Sequence, residues 1–282
     1  MEEPVANEGP IDYAERNRAI WNDWVTHDLH SEHHRDIERF RATGSSLRSI
    51  EVAELGNVAG KRLIHLLCNM GSETLSLARL GATVTGVDIA DAAIDRAREL
   101  TVEAGLTERA RFLRADVYAL PDEWDGQFDS VYASYGALFW LADLPRWAAI
   151  VARLLAPGGS LTMVEMHPFA NALAEDPADS PATQPRFRMA SPYTHAPQPL
   201  EEPVTLRGAA TPEEATLYLW NYGLGELLTA LITAGLRIEY LHEFPLAHYR
   251  RFPSLVRGED GWWRWSSPDQ TLPMLFSLRA AK

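Results

Sequence analysis

Three residues in the first half of the chain have the types and positions needed to bind an adenosine. Gly71 lies in the turn CNMGSE, where a residue without a side chain lets the backbone approach a ligand closely. Asp88 ends the following predicted strand, where its carboxylate can accept hydrogen bonds from both hydroxyls of a ribose. Asp116 ends the next strand and can accept from an adenine amino group, with Ile89 and Val117 against the ring. Aspartate also favours helix caps and turns, which are the alternative roles for Asp88 and Asp116.

The same turn is unsuited to a phosphate. Pyrophosphate-binding loops place several glycines before a helix N-terminus, whereas this turn has one glycine and puts Glu73 at the helix start. A carboxylate there repels phosphate and suits an ammonium group. An adenosine joined to an amino acid without phosphate is S-adenosylmethionine (SAM). A nicotinamide-dependent dehydrogenase is the less favoured alternative, because it needs the missing glycines.

The elements that position these residues alternate between strand and helix from residue 61 onward. The predicted strands are RLIHLL, ATVTGVD, ARFLRADV, FDSVYAS and SLTMVEM, and helical patterns separate them. This alternation predicts an α/β fold with a doubly wound parallel sheet and helices on both faces. In such folds ligands bind beyond the carboxyl ends of the strands, which here carry LLCNMG, GVDIA, RADVY, YASYG and VEMHP.

The segments LLCNMGSETLSLARLGATVTGVDIA, RADVYALP, FDSVYASYGALFWL, LLAPGG and VEMHP resemble a class I SAM-dependent methyltransferase over about residues 61–167. The tail, with WNYGLGELLTALITAGLRIEYLHEFP and FPSLVRGEDGWWRW, resembles a bacterial branch of small-molecule methyltransferases that has an N-terminal helical extension. The resemblance implies a Rossmann-like sheet of seven strands, in which the last, TLPMLFSLRA, is antiparallel. It also implies methyl transfer from SAM to an oxygen or nitrogen of a small-molecule acceptor, with S-adenosyl-L-homocysteine (SAH) as the product.

The resemblance carries over to individual residues of the site. It assigns Cys68, Asn69 and Gly71 to the methionine end, Asp88 and Ile89 to the ribose, Asp116 and Val117 to the adenine, and Ser134 to the region beneath the sulfonium. The common family loop is acid-x-Gly-x-Gly-x-Gly. This chain departs from it, since His65 stands at the acid position and only Gly71 of the glycines is kept. We expect Cys68 to be a small buried side chain under the cofactor rather than a nucleophile.

Residues 1–50 are predicted to form a helical lid, and residues 51–282 the methyltransferase domain. Within that domain, residues 167–220 are predicted to form an irregular substrate-side insertion, because seven prolines follow Pro168 up to and including Pro203 and interrupt its pattern. His167 ends the fifth strand, where an imidazole can act as a general base; its alternative role is to shape the loop. The predicted substrate-binding residues are Trp24, Tyr135, Trp140, His167, Trp220 and Glu226. The aromatic residues could equally be core, and Glu226 could simply stabilise the first turn of a helix.

Composition excludes several other classes of protein. The net charge of −13, from 26 basic and 39 acidic residues, disfavours nucleic acid as a partner. No apolar run is long enough to span a bilayer, and the acidic start resembles no targeting segment, so we expect no membrane association and a cytoplasmic location. No metal is expected, because the chain has a single cysteine and His27, His30, His33 and His34 are interpreted as solvated helix positions. An alternative function keeps the fold but binds SAM or SAH without catalysis, or catalyses a different reaction. The acceptor and the oligomeric state stay open.

Overall fold

The computed structural model describes residues 12–27, 31–176, 185–204, 215–267, 269 and 271–282, with only the backbone described at 31–33. The helices are α1 (Tyr13–Thr26), α2 (Ser31–Thr43), α3 (Ser49–Leu55), α4 (Ser72–Arg79), α5 (Asp91–Glu103), α6 (Leu144–Leu154), α7 (Pro168–Ala172) and α8 (Leu224–Thr233), with short 3-10 helices at Val117–Ala119, Asp122–Trp124 and Ala137–Trp140. The strands are β1 (Arg62–Leu66), β2 (Thr83–Asp88), β3 (Ala110–Arg114), β4 (Phe128–Ser134), β5 (Leu155–Met166), β6 (Leu173–Asp176), β7 (Arg186–Met189), β8 (Leu200–Pro203), β9 (Thr216–Leu219), β10 (Arg237–Phe244), β11 (Leu246–Ala247), β12 (Leu255–Arg257), β13 (Trp263–Trp265) and β14 (Leu275–Ala281).

The main sheet of the described chain has seven strands in the order β10-β14-β5-β4-β1-β2-β3. Strand β14 runs antiparallel to both of its neighbours, and the pairs from β5 across to β3 are parallel. The predicted doubly wound sheet with an antiparallel last strand is therefore confirmed. Since four of the five residues of β1 are buried, the central strands must be covered on both faces.

Two apolar clusters cover the two faces of this sheet. One packs α6 and α8 on the sheet, with the fully buried Trp147 among its members, and the other packs α2, α4 and α5 on the opposite face. Helix α6 begins where the sequence signals it, because the Asp143 side chain caps it and Pro145 stands in its first turn. Helices on both faces leave the carboxyl edge of the sheet open for the site.

The N-terminal helices meet the sheet at this edge. Helix α1 contacts α5 and β9, and α3 packs on β5. The domain boundary predicted at residue 50 falls inside α3, so the division into a lid and a catalytic domain stays a prediction. The region 167–220 contains α7, the paired strands β6 and β7, and the paired strands β8 and β9, which is more regular structure than its prolines suggested.

Candidate cofactor site

The loop between β1 and α4 keeps a glycine-type backbone although two of its glycines are absent. Leu67, Asn69 and Gly71 have φ angles of 54°, 49° and 76°, so all three family glycine positions lie in the left-handed region. Such a conformation costs a non-glycine residue roughly 1–2 kcal/mol, and asparagine tolerates it best. Asn69 also stabilises the loop, since its Oδ1 accepts a hydrogen bond from the Met70 N–H at 2.7 Å. The loop therefore has the family's shape with an unusual sequence.

The structure gives a different reason for glycine at position 71 from the one predicted. A Cβ atom on Gly71 would lie 2.6 Å from two carbons of the Phe112 ring and 2.9 Å from the Ala97 Cβ. A Cβ on Gly86, in the neighbouring strand, would approach the same ring to 2.4 Å. The missing side chain thus makes room for Phe112 inside the protein, and the close approach of a ligand to this backbone stays a prediction.

Asp88 ties the loop to the end of β2. Its Oδ2 accepts from the Asn69 N–H at 2.8 Å and its Oδ1 accepts from the Ala90 N–H at 2.9 Å. Burial raises the pKa of this carboxyl above its usual range. Each carboxylate oxygen keeps a second lone pair, so Asp88 can still accept ribose hydroxyls while it holds the loop. Ile89, next in the chain, is half-buried beside it.

Asp116 takes the turn role that the sequence analysis gave as its alternative. Its Oδ1 accepts from the Tyr118 N–H at 2.9 Å and caps the 3-10 helix that begins at Val117. Val117 itself is buried in the core beside β4. The end of β3 is joined to the end of β2 through the Ala115 N–H and the Asp88 carbonyl oxygen at 2.9 Å. Asp116 and Asp88 therefore lie on adjoining strand ends, as predicted, and their roles toward a nucleoside stay predictions.

Cys68 is buried, and burial raises its pKa well above that of a free thiol. Its side chain would lie 2.9 Å from a Cβ on Gly86, so it packs inside the sheet. A neutral, enclosed thiol is a poor nucleophile, which fits the predicted packing role.

Glu73, rather than residue 65, supplies the acid of this loop. The Ser134 hydroxyl donates to Glu73 Oε2 at 2.6 Å, and the Tyr132 hydroxyl donates to the same oxygen at 3.3 Å. His65 is buried between Thr74 Oγ1 at 2.8 Å and Ser134 Oγ at 3.3 Å, and burial lowers its pKa to about 3. Since Ser134 gives its proton to Glu73, the neutral His65 donates through Nε2 and accepts from Thr74 through Nδ1. Ser134 thereby joins the predicted sulfonium position to Glu73.

Three charged residues near Glu73 were missed by the sequence analysis. Arg48 pairs with Asp36 at 3.1 Å between Nη2 and Oδ1, and its guanidinium carbon lies 5.6 Å from the centre of the Tyr135 ring. Glu51 is fully buried, and its Oε1 accepts from the Arg48 N–H at 3.2 Å. The pattern of Arg48 followed by Glu51 three residues later signals only a helix start. That these charges lie buried beside the cofactor loop depends on how α3 packs.

A buried carboxylate also holds the loop after β4. Glu165 Oε1 accepts from the backbone N–H groups of Gly136 and Met166, and its Oε2 accepts from the Leu138 N–H at 3.3 Å. Burial raises the pKa of Glu165 to about 7. Tyr135 has a φ angle of 40°, which a residue with a side chain adopts only when its surroundings impose it. Glu165 therefore fixes the position of the predicted substrate residue Tyr135.

His167 has a hydrogen-bond partner at each of its ring nitrogens. Its Nδ1 accepts from the Phe169 N–H at 3.2 Å, which caps α7, and its Nε2 lies 2.7 Å from Glu243 Oε1. With Nδ1 accepting, the proton sits on Nε2 and is donated to Glu243. Burial lowers the pKa of the ring. Both nitrogens are engaged, and the cap of α7 is in keeping with the alternative role of shaping the loop. The general-base role stays a prediction.

Glu226 is likewise engaged in local structure, and its predicted role toward a substrate stays a prediction. Its carboxylate accepts from the Gly223 N–H at 2.8 Å, at the start of α8, and from the His195 N–H at 3.1 Å. Trp220 is also corrected, because it is 6% exposed and packs in the core against Tyr13, with ring centres 5.8 Å apart. These two residues follow the structural alternatives.

The remaining predicted aromatic residues come together at the N-terminal helix. The Trp21 ring lies edge-on to Trp24 at 5.3 Å and to Trp140 at 5.5 Å. Trp24 and Trp140 are both half-buried, so each keeps some surface. The aromatic face of helix α1 therefore packs against the 3-10 helix after β4, near the open edge of the sheet.

Neither a metal centre nor a membrane span is found in the part of the chain that the structure describes. No group of three or more histidine, cysteine, aspartate or glutamate side chains there could hold a metal ion. His27 pairs with Asp23 at 3.0 Å, while His30 and the side chain of His33 lie outside the described residues. Within the same limits, every helix is too short or too polar to cross a bilayer.

Comparison with known proteins identifies the central segment. Residues 64–159 match the sequence model of a methyltransferase domain. A ubiquinone biosynthesis O-methyltransferase from Paracidovorax citrulli is 31% identical over 162 residues, which are 56% of this chain and 63% of that protein. The chain spans between 19% and 63% of the length of the first curated relatives that it matches.

Solved structures share the fold over a larger part of the chain. An S-adenosylmethionine-dependent methyltransferase from Mesorhizobium loti superposes with a TM-score of 0.56 at 23% identity, over 82% of this chain and 94% of that one. The cyclase SpnF superposes with a TM-score of 0.53 at 18% identity, over 83% and 79% of the two chains. Residues 64–159 are therefore identified as a methyltransferase domain, and the chain has the fold of SAM-dependent methyltransferases over most of its length.

Proposed function

We propose that this protein transfers the methyl group of SAM to an oxygen or nitrogen atom of a small-molecule acceptor. The observation that carries the proposal is the loop 67–71, which has Asp88 bonded to it and Glu73 directly after it, at the carboxyl edge of the sheet. Asp88 suits a ribose, and Glu73 suits the ammonium of the methionine end. Arg48 Nη1 is buried and makes no hydrogen bond among the described residues, so it offers a donor for the methionine carboxylate.

The chemistry that SAM supplies is a methyl group on a sulfonium, which an acceptor attacks in line as the carbon–sulfur bond breaks and SAH leaves. The protein's main contribution is to hold the acceptor at attack distance and in line with that bond. Ser134 and Tyr135, braced by Glu165, are our candidates for this positioning. With His167 engaged as a cap, no base is assigned to it in this proposal.

Helix α1 is our candidate for the lid that excludes water. Asn17 exchanges two hydrogen bonds with the backbone of Tyr218, at 2.7 Å and 2.9 Å. On the other side, Asn22 donates to Asp91 at 3.1 Å and accepts from the Ala92 N–H at 3.0 Å. The helix therefore bridges β9 and the start of α5, across the edge where the cofactor is proposed to bind.

A second candidate is a protein that binds SAM or SAH but catalyses another reaction or none. The observation that favours it is the shared fold of the cyclase SpnF, because one fold can carry unrelated reactions. Transfer of a radiolabelled methyl group separates the two candidates. We expect label from SAM to appear in an acceptor from a panel of small hydroxyl and amine compounds. Binding of SAM with recovery of all label as intact SAM would support the second candidate.

Titration calorimetry with SAM, SAH and NAD tests the cofactor itself. We expect the first two to bind and NAD not to bind. The Asp88→Ala variant should lose affinity for SAM by tenfold or more, since each lost hydrogen bond is worth about 1–3 kcal/mol. Asp95→Ala is the matched control, because Asp95 is an exposed aspartate on α5 that pairs only with the neighbouring turn. Equal affinities of both variants would contradict the ribose role.

A further inference from the structure

The charges around Glu51 and Glu73 do not balance. The cation that acts on both carboxyl groups is the guanidinium of Arg48, which also pairs with Asp36. Asp36 in turn faces Arg35 and Arg39. Glu51 is 0% exposed and its Oε2 makes no hydrogen bond among the described residues. Tyr135 Oη is buried next to the Glu51 carboxyl and lowers its pKa, but the two groups do not reach the geometry of a full hydrogen bond. A fully buried carboxylate with an open oxygen is costly unless it is protonated or meets a cation.

Several elements pack around Glu73 and place titratable or polar side chains near its carboxyl group, most of which are acidic or neutral. They are Asp36 from α2, Arg48 and Glu51 from the start of α3, His65 from β1, Cys68 from the loop after β1, Tyr132 and Ser134 from β4, and Tyr135 directly after β4. Burial, followed by the charge of Glu51, raises the pKa of Glu73 to about 8. Burial also raises the pKa of Glu51. A carboxyl in such a setting keeps its proton at neutral pH.

We propose that Glu51 and Glu73 hold one proton between them in the cofactor-free protein, and that the ammonium-bearing end of SAM displaces this proton into solvent when it binds. The inference rests on the proposed function, because the cation it invokes is the methionine end of SAM. The O–H bond of one carboxyl breaks, the proton passes to water or buffer, and the carboxylate that forms pairs with the ammonium. SAM and SAH share this ammonium, whereas 5′-methylthioadenosine has the nucleoside without it.

The sign of the pH dependence follows from this exchange. Below pH 8 the free site is protonated, so binding releases a proton and the affinity for SAM rises as pH rises. For one proton the rise is about tenfold per pH unit. We therefore expect SAM and SAH to bind about tenfold more tightly at pH 7 than at pH 6, and 5′-methylthioadenosine to bind equally at both.

Calorimetry in phosphate and in Tris, which differ in ionisation enthalpy, counts the protons directly. At pH 6.5 we expect release of about one proton per SAM or SAH bound and none with 5′-methylthioadenosine. Glu73→Gln should abolish the release. Glu51→Gln should reduce it, because the charge that raises the pKa of Glu73 is gone. Glu99→Gln, on the exposed face of α5, is the control and should release the same proton as the parent protein.

The outcomes separate this inference from the proposed function. SAM that binds the parent protein without proton exchange at pH 6.5 overturns the inference and leaves the cofactor assignment intact. Release that is unchanged in both glutamine variants does the same, since the proton then comes from another group. If Glu73→Gln no longer binds SAM, the Glu51→Gln variant decides. A folded parent protein that binds neither SAM nor SAH overturns the proposed function, and the inference with it.

Discussion

Replacing Gly71 by alanine tests whether this position serves internal packing or an approach to the ligand. The added Cβ meets the Phe112 ring at 2.6 Å, whereas carbon atoms in contact lie about 3.5–4.0 Å apart. The neighbours must therefore move by about 1 Å, and overpacking of this kind costs about 1–3 kcal/mol. The positive φ of 76° adds about 1–2 kcal/mol. We expect the free energy of unfolding to fall by about 2–5 kcal/mol.

Two matched variants separate the contributions. Gly105 has a similar φ of 68°, but a Cβ there meets nothing within 4 Å, so Gly105→Ala should cost only the backbone part of about 1–2 kcal/mol. Phe112→Leu shortens the ring that obstructs position 71. In that background the ring contact is relieved while the contact with the Ala97 Cβ at 2.9 Å remains. Gly71→Ala should then cost less than in the parent protein, with a coupling of up to about 1–3 kcal/mol between the two sites.

The assay is urea unfolding of the four proteins of the Gly71–Phe112 cycle, with Gly105→Ala alongside, followed by fluorescence of the tryptophans. Equal costs for Gly71→Ala and Gly105→Ala, or additive effects of Gly71→Ala and Phe112→Leu, would refute the packing argument. A Gly71→Ala variant of normal stability that fails to bind SAM would instead restore the close approach of a ligand as the reason for the glycine.

Three further predictions follow from the same site. The free energy of unfolding of Glu73→Gln should exceed that of the parent protein by an amount that grows from pH 4.5 to 8. The parent protein loses stability over this range because its neutral carboxyl, with a folded pKa of about 8, is deprotonated only in the unfolded state. A constant difference in urea midpoint between the two proteins at pH 5 and 8 would contradict this. His167→Ala should lower the free energy of unfolding by about 1 kcal/mol through the lost cap of α7, with SAM affinity unchanged by calorimetry; unchanged stability with lost turnover would return His167 to the chemistry. Asn69→Val should destabilise by about 2 kcal/mol in urea, whereas Asn69→Gly should stay within about 1 kcal/mol, and equal effects would show that the left-handed backbone there is not imposed.

The sequence was sufficient for the sheet and for the residues at its edge. Short apolar segments predict strands, and Asp143 followed by Pro145 predicts the start of a helix. Because these signals are local, strands β1 to β5 and helix α6 form at the predicted places. The sequence predicts that β5 begins after the Pro-Gly-Gly segment, but in the structure β5 begins at Leu155. The strand is longer because Leu155 also pairs with Phe128 of β4, and the register shifts between this pair and the next one. The antiparallel direction of β14 is implied by family resemblance, since nothing local in its residues encodes a direction, and its position between β5 and β10 is seen only in the structure.

The chemistry of the site was decided largely by the tertiary structure. Arg48, Glu51 and Glu165 look like ordinary polar residues of a helix start and a strand, and become site residues only because α3 and β5 enclose them next to Tyr135. His167 and Glu226 look like site candidates in the sequence. In the structure Glu226 accepts from backbone N–H groups, and His167 lies between the Phe169 N–H and the Glu243 carboxylate. Sequence spacing determines which face of an element a residue occupies, because that depends on the period of the local backbone. It does not determine which charges share one buried volume, because that depends on contacts between elements far apart in the chain.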